Sequence, residues 1–406
     1  MKKFIAIALV LTMVLALTGC GGDSKTNATN SNKDTTAADT GDTTGGETSS
    51  ASVTDGETIK IGLISMITGD NPLNGERMNQ AVQMAVDEYN EAGGLLGKQI
   101  ELLIEDDQTL QDMAVTCANK LISEGVVGIV GPHRSTNALA VEAVVKSSGV
   151  PTFTGGTSPS ISALNNDYLF RCRASDTIFA EAAVTYAVEE LGAKKVGVFF
   201  NNDDFGTGAE TVIKQYCSDN GIDYVAEGHN TGDKDFTAQI MKMQNESVDA
   251  VIIWTHDSEL AIHARQIYEL GLEAQVVSSP GVTMQQVIDM CETDWIEGWF
   301  GVTDYVSTSD EGTLVEFKER FMEKYSIEPE LYAASYYGGA VALLEGIKAA
   351  GSTDRTAVME AVKNLKDLNV PVGVMNCDDT NDLIHNINVA KIENKVPMYI
   401  KAVTVE

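Results

Sequence analysis

From residue 59 onward, apolar positions fall into two alternating rhythms. Short apolar-rich runs predict strands at 59–65, 99–105, 126–130, 150–153 and 168–172, the first of them buried. Between them, apolar residues three and four apart predict helices at 76–92, 110–124, 137–147 and 178–191. In the first of these the stripe is Met78, Ala81, Val82, Ala85, Val86 and Tyr89, closed by Gly93-Gly94. The rhythm restarts at Lys195, with strands at 196–200, 224–227, 250–254 and 276–278 and helices at 209–220, 236–244 and 259–270. Helices at 314–325, 333–350 and 355–365 follow, then extended segments at 370–375, 388–392 and 398–405 that return to cap what precedes them. Strand–helix alternation repeated in two halves predicts an α/β protein of two doubly wound, Rossmann-like lobes. In such sheets ligands sit beyond the carboxyl ends of the strands, so two facing edges would enclose one cleft.

The first 56 residues follow neither rhythm. Lys2 and Lys3 precede an apolar stretch at 4–17, too short for a comfortable membrane span, and small residues end it. That is the make-up of a secretory signal, expected at 1–19. Leu17-Thr18-Gly19-Cys20 resembles the lipobox of bacterial lipoproteins, which implies lipid on the Cys20 thiol. Residues 20–56 are mainly Gly, Ser, Thr, Asn, Asp and Ala, too polar to offset the entropy of ordering, and predict a lipid-anchored flexible linker. As a coil it would reach roughly 35 Å. The location expected is extracytoplasmic, on the cell membrane.

Composition removes several classes. The chain has 59 Asp plus Glu against 28 Lys plus Arg, a formal charge of -31, which would repel nucleic acid. Neither a GxSxG elbow, an HExxH, a GxxxxGK[ST] loop nor a CxxC pair is present. Gly206-Thr207-Gly208 and the 93–98 stretch read as turns, His256 and His263 lack a third metal ligand, and 378–382 reads as a solvated turn rather than a calcium loop. No enzyme, cofactor or metal site is expected. Cys117, Cys172, Cys217, Cys291 and Cys377 remain beside Cys20, an odd number that export would allow to form disulfides but that reads mainly as buried thiols.

Two loops concentrate hydroxyls and backbone amides. Gly131-Pro132-His133-Arg134-Ser135-Thr136-Asn137 joins a strand to a helix start, and Thr154-Gly155-Gly156-Thr157-Ser158-Pro159 follows the next strand. Both aim helix N-termini beyond a strand edge, where partial positive charge and free N–H groups suit a carboxylate. Ordinary helix caps would look the same.

From residue 58 on, three segments carry a family resemblance: IKIGLISMITGDNPLNGERMNQAVQMAVDEYNEAGGLLGKQIELLIEDDQ, VVGIVGPHRSTNALAVEAVVKSSGVPTFTGGTSPSIS and DAVIIWTHDSELAIHARQIYELGL. The chain resembles the type 1 periplasmic binding proteins, specifically the leucine/isoleucine/valine-binding group that serves ABC importers. The resemblance implies two lobes on a multi-strand hinge, with 57–174 plus 304–386 in lobe 1 and 175–303 plus 387–406 in lobe 2. It also implies that a ligand carboxylate meets Ser135, Thr157 and the Gly155 backbone, with Thr136 adjoining. From the second lobe it implies an aromatic wall at Phe205 and a ligand contact at His256; a further aromatic at Tyr332 lines the pocket, and in the first lobe Asn74 stands nearest the cleft on the loop 70–75.

Pro280 stands where the family places the acid that meets an ammonium. A buried ammonium would then need another counter-charge, which Asp257 could supply, or the ligand has no ammonium. His133 and Arg134 replace apolar or small residues; Arg134 either clamps a carboxylate or points outward. The expected function is a monomeric, lipid-anchored solute-binding protein that passes a small carboxylate, a branched-chain or related amino acid, to an ABC transporter permease. The alternatives are a non-amino-acid solute (an aromatic acid, dicarboxylate or amide) or a solute-sensing receptor domain.

Overall fold

The computed structural model describes residues 58–403. The expected signal at 1–19, Cys20 and the linker at 20–56 lie outside the described residues. The strands β1 (Ile59–Ser65), β2 (Ile100–Asp106), β3 (Ile129–Val130), β4 (Thr152–Thr154) and β5 (Leu169–Arg171) form a parallel sheet ordered β2-β1-β3-β4-β5. The next five are β6 (Lys195–Asn201), β7 (Asp223–His229), β8 (Ala250–Trp254), β9 (Gln275–Ser278) and β10 (Phe300–Thr303). They repeat that order as β7-β6-β8-β9-β10. A small antiparallel sheet of β11 (Leu368–Val370), β12 (Gly373–Cys377) and β13 (Leu383–Ile384) follows. Finally β14 (Ile387–Glu393) and β15 (Val396–Val403) join the second sheet antiparallel beside β10.

Parallel strands covered on both faces must be apolar throughout. In β1 only Lys60 escapes full burial, and all of β8 (AVIIW) is buried. The helix Leu331–Ala350 is apolar nearly all round because it is wedged between the first sheet and the helix Pro72–Glu91. Its Gly339 lies so near β5 that a Cβ there would sit 2.8 Å from Cys172 Cβ. The chain passes between the two sheets three times: after β5, after β10 and after β13.

Both sheets reverse their strand order beside their first strand, and the loops leaving β1, β3, β6 and β8 face one another across that gap. Gly131 turns the chain there with φ of 88°, and a Cβ on it would lie 2.1 Å from the Ile64 carbonyl oxygen.

Three local expectations are corrected. The first helix begins at Pro72 rather than 76, with proline in its first turn. Gly206-Thr207-Gly208 is not a turn but the opening of the helix Asp204–Asn220. Asp203 caps it by accepting the Gly206 N–H at 3.0 Å, and Gly206 is pressed against β6, where a Cβ would lie 2.1 Å from the Asn201 carbonyl. Asp382 of the 378–382 turn is buried rather than solvated, because it pairs with the buried Arg171 at 3.1 Å. The five described cysteines are buried free thiols. No helix among the described residues is long and apolar enough to cross a membrane.

Candidate functional site

The carboxyl end of β2 organises the first wall. Asp106 accepts the Thr68 hydroxyl at 2.6 Å and its N–H at 3.1 Å, fastening the loop after β1. Asp107, buried, accepts from Asn137 Nδ2 at 2.7 Å and so fixes the start of the helix Ser135–Ser148. No side chain caps that helix, and the Ser135, Thr136 and Asn137 amides have no acceptor among the described residues. They leave a positive helix end open at the cleft.

Ser135 Oγ accepts the N–H groups of Thr157 and Ser158, each at 3.1 Å. Both lone pairs of the hydroxyl are then used, and its own proton remains to be donated into the cleft. The Thr157 hydroxyl donates to Asp176 Oδ2 at 2.8 Å, while the Asp176 N–H returns to the Thr157 carbonyl at 2.7 Å. Burial pushes the Asp176 carboxyl up to about 7, although Thr157, Arg171 and Arg173 favour its ionised form. The Gly155 N–H bonds the Pro132 carbonyl at 3.1 Å, so Gly155 borders the cleft without offering a free amide. What Gly155 provides is room: a Cβ there would lie 1.9 Å from Tyr336 Oη. Arg171, fully buried, holds the Thr157 carbonyl at 2.8 Å.

The cleft walls include Asn74, His133, Arg134, Ser135, Gly155 and Thr157 on one side, with Tyr332 beside them. Phe205, His256, Asp257 and Pro280 stand opposite. Of the residues expected at the site, Thr136 alone is not on the wall. It follows Ser135 by one helical position, which turns its side chain away, and its hydroxyl lies 3.5 Å from Asn137 Oδ1. Arg134 gives Nη2 to Asp70 at 2.9 Å on the cleft rim. The His256 ring stacks on Phe205 at 5.1 Å and bonds Asp203 through Nε2 at 2.7 Å. His263 is nowhere near the cleft; it is buried between Phe199 and Phe236.

Asp257 reaches across. Its Oδ2 accepts from Asn71 and Asn74 of the first wall and from Gln286 of the second, the latter two at 3.0 Å. Its Oδ1 lies beside the turn at Pro280–Thr283, where a Cβ on Gly281 would approach it to 2.8 Å. One oxygen thus ties the walls together while the other stands next to the proline.

The sequence reading missed Arg173, Asn71 and Gln286. Arg173 lies in the first crossing between sheets and borders the cleft, yet only 4% of its surface is exposed. Its Nε donates to Asp304 at 2.9 Å. A lone arginine after a strand gives no local signal of such a place.

Residues 58–396 match a family model described as periplasmic binding protein. The chain is similar to a Leu/Ile/Val-binding protein of Rhizobium johnstonii, 29% identical over 332 residues, covering 80% of this chain and 89% of that one. It is also similar to a leucine-, isoleucine-, valine-, threonine- and alanine-binding protein of Pseudomonas aeruginosa, 28% identical over 329 residues, covering 80% and 87%. Among solved structures, a leucine-binding protein from Thermotoga maritima matches with a TM-score of 0.80 at 25% identity, over 85% of this chain and 99% of that one. A solute-binding protein of an ABC transporter from Rhodopseudomonas palustris, in complex with 3,4-dihydroxybenzoic acid, shares the fold with a TM-score of 0.78 at 22% identity, over 85% and 97%.

Proposed function

Because the chain belongs to the periplasmic binding protein family, we propose that it is the solute-binding lipoprotein of an ABC importer, which takes up a small carboxylate-bearing solute outside the cytoplasm. Lipid on Cys20 would hold it at the membrane, and residues 20–56 would give the body its reach toward the permease. The lobes are taken as 57–174 with 304–386 and 175–303 with 387–406, closing as a monomer about the three crossings. Binding, not turnover, is the task, as in the family. The relatives named for leucine, isoleucine and valine favour an amino acid or a close analogue.

One observation carries the reading: an uncapped helix start at which Ser135, with both lone pairs occupied, keeps its proton for an anion. An incoming carboxylate accepts a hydrogen bond from that hydroxyl and from the amides behind it. An α-ammonium would then lie toward Asp257 Oδ1, the oxygen that no amide occupies. A solute held by the first wall gains the second-wall contacts only in the closed form, so solute favours that form.

A screen of thermal unfolding against amino acids, dicarboxylates, amides and aromatic acids tests this. A solute at 100 times its Kd should stabilise the chain by about 2.7 kcal/mol. Ser135→Ala is expected to weaken every such solute about tenfold, the effect of about 1.4 kcal/mol for a lost hydrogen bond to a charge. If no carboxylate shifts the transition, the proposal is wrong. A nitrogen-free aromatic acid is the second reading, favoured by Pro280 and by the stacked Phe205–His256 wall. Asp257→Asn separates the two: it should weaken an amino acid at least fivefold and spare benzoate-type acids.

A further inference from the structure

An aliphatic side chain is best held by apolar walls, but the groups around Arg173 are polar and unspent. Its Nε is fixed by Asp304 at 2.9 Å, and its guanidinium lies over the rings of Tyr332 at 5.3 Å and Phe179 at 5.7 Å. The two Nη groups have no acceptor among the described residues and border the cleft. Asp304 does not compete for them, because its other oxygen takes the Ala174 N–H and His385 Nε2, each at 3.0 Å. Arg134, the other guanidinium on the wall, is already paired with Asp70.

Two further groups converge on the same place. Tyr332 is 7% exposed, and its hydroxyl has no partner among the described residues. His133 stands edge-on to the Tyr332 ring at 4.6 Å and engages Tyr336 Oη through Nδ1 at 2.8 Å, which leaves Nε2 for the cleft. Burial, with Arg173 and Arg134 nearby, holds the ring well below its usual pKa, and the neutral tautomer that accepts the Tyr336 hydroxyl at Nδ1 carries its hydrogen on Nε2. A closed cleft holding only methyl groups against these donors would leave a desolvated guanidinium unsatisfied, which is costly.

We infer that the solute carries a second acidic end group, bound bidentately by the Arg173 Nη atoms with Tyr332 Oη and His133 Nε2 beside it. The inference rests on the reading of Ser135 as the first carboxylate's partner and narrows it to dicarboxylates and acidic amino acids. Arg173 is thereby a specificity-determining residue: its Nε belongs to the hinge and its Nη end to the ligand. Sites built to hydrogen-bond an end group reject analogues lacking it far more strongly than apolar pockets reject an added one.

Titration calorimetry of the full chain with two matched pairs tests this: glutamate against norvaline, and glutarate against valerate. The wild type should bind the two-carboxylate member of at least one pair tenfold or more tightly than its one-carboxylate partner. Arg173→Met should bring that ratio below threefold. Should its loss leave Asp304 unpaired and the chain unfolded, Tyr332→Phe keeps the Arg173–Asp304 pair and should reduce the same ratio at least threefold. Norvaline and valerate bound as tightly as their two-carboxylate partners, or ratios unmoved in a folded variant, would overturn the inference and leave the carboxylate reading intact. Failure of all four probes to bind would overturn the inference alone, since the wider thermal screen of carboxylates decides the reading it rests on.

Discussion

Asp304→Ala is expected to cost about 3–5 kcal/mol of stability, because it strips a buried cation of its partner. Asp304 sits in the second crossing between the sheets, Arg173 in the first and His385 in the third. The Asp304 carboxylate takes Arg173 Nε, the Ala174 N–H and His385 Nε2, and its own carbonyl accepts Asn388 Nδ2 at 3.2 Å. Burial alone would raise its pKa; Arg173 and His385 outweigh that and hold it at about 2. The sign follows from this depression: the stabilisation is whole above the carboxyl's unfolded pKa near 4 and is lost as pH falls through 2. Urea unfolding at pH 7 measures the cost, with Asp304→Asn intermediate since the amide keeps the shape and loses the charge. A cost under 1 kcal/mol would mean that the three crossings are not held through this residue.

That cluster also marks where sequence reading stops. Arg173 and Asp304 are 131 residues apart, and Asp304 and His385 are 81 apart. Neither periodicity nor a loop motif links residues so distant; only the meeting of three crossings does. The strands, by contrast, were legible wherever burial on both faces forces a nearly continuous apolar run, as in β1 and β8. β10 escaped because its four residues, Phe300–Thr303, include a glycine and carry too little pattern for a strand. Gly206 misled for a different reason. Its lack of a side chain reads as a turn, whereas here it serves the close approach of a helix to β6.

At the cleft, the positions of Ser135 and Thr157 followed from strand–loop–helix order, but their hydrogen-bond roles did not. Both were expected to offer hydroxyls. The structure gives Ser135 a free proton and commits that of Thr157 to Asp176, which lies 19 residues further along behind the wall. Asp257 likewise stands beside Pro280, yet its tie to Asn71, Asn74 and Gln286 depends on the two walls meeting. A single chain of letters does not state which backbone amides are already spent, and that decides what a ligand finds.

His263→Leu should flatten the acid side of the stability curve, with a gain over wild type that grows as pH falls. The imidazole is fully buried, stacked on Phe236 at 3.8 Å and facing Phe199 at 4.9 Å, with neither ring nitrogen hydrogen-bonded among the described residues. Burial, and then the nearby His229, hold its pKa well below 6.5. The folded chain therefore keeps this ring neutral where the unfolded chain protonates it. Stability from this residue is whole above pH 6.5 and falls below it by about 1.4 kcal/mol per pH unit, until the depressed folded pKa is reached. Asp176 and Glu330, both raised to about 7, work in the opposite sense between pH 4 and 7, so the wild-type curve alone hides the histidine. The difference between variant and wild type isolates it, and leucine, close in volume, also ends the burial of two unpaired nitrogens. Unfolding at pH 6.5 and pH 5.0 should show the variant's advantage widening by about 1.5 kcal/mol. An advantage that stays constant across that range would place a proton partner on His263 in solution and dismiss the neutral, stacked ring.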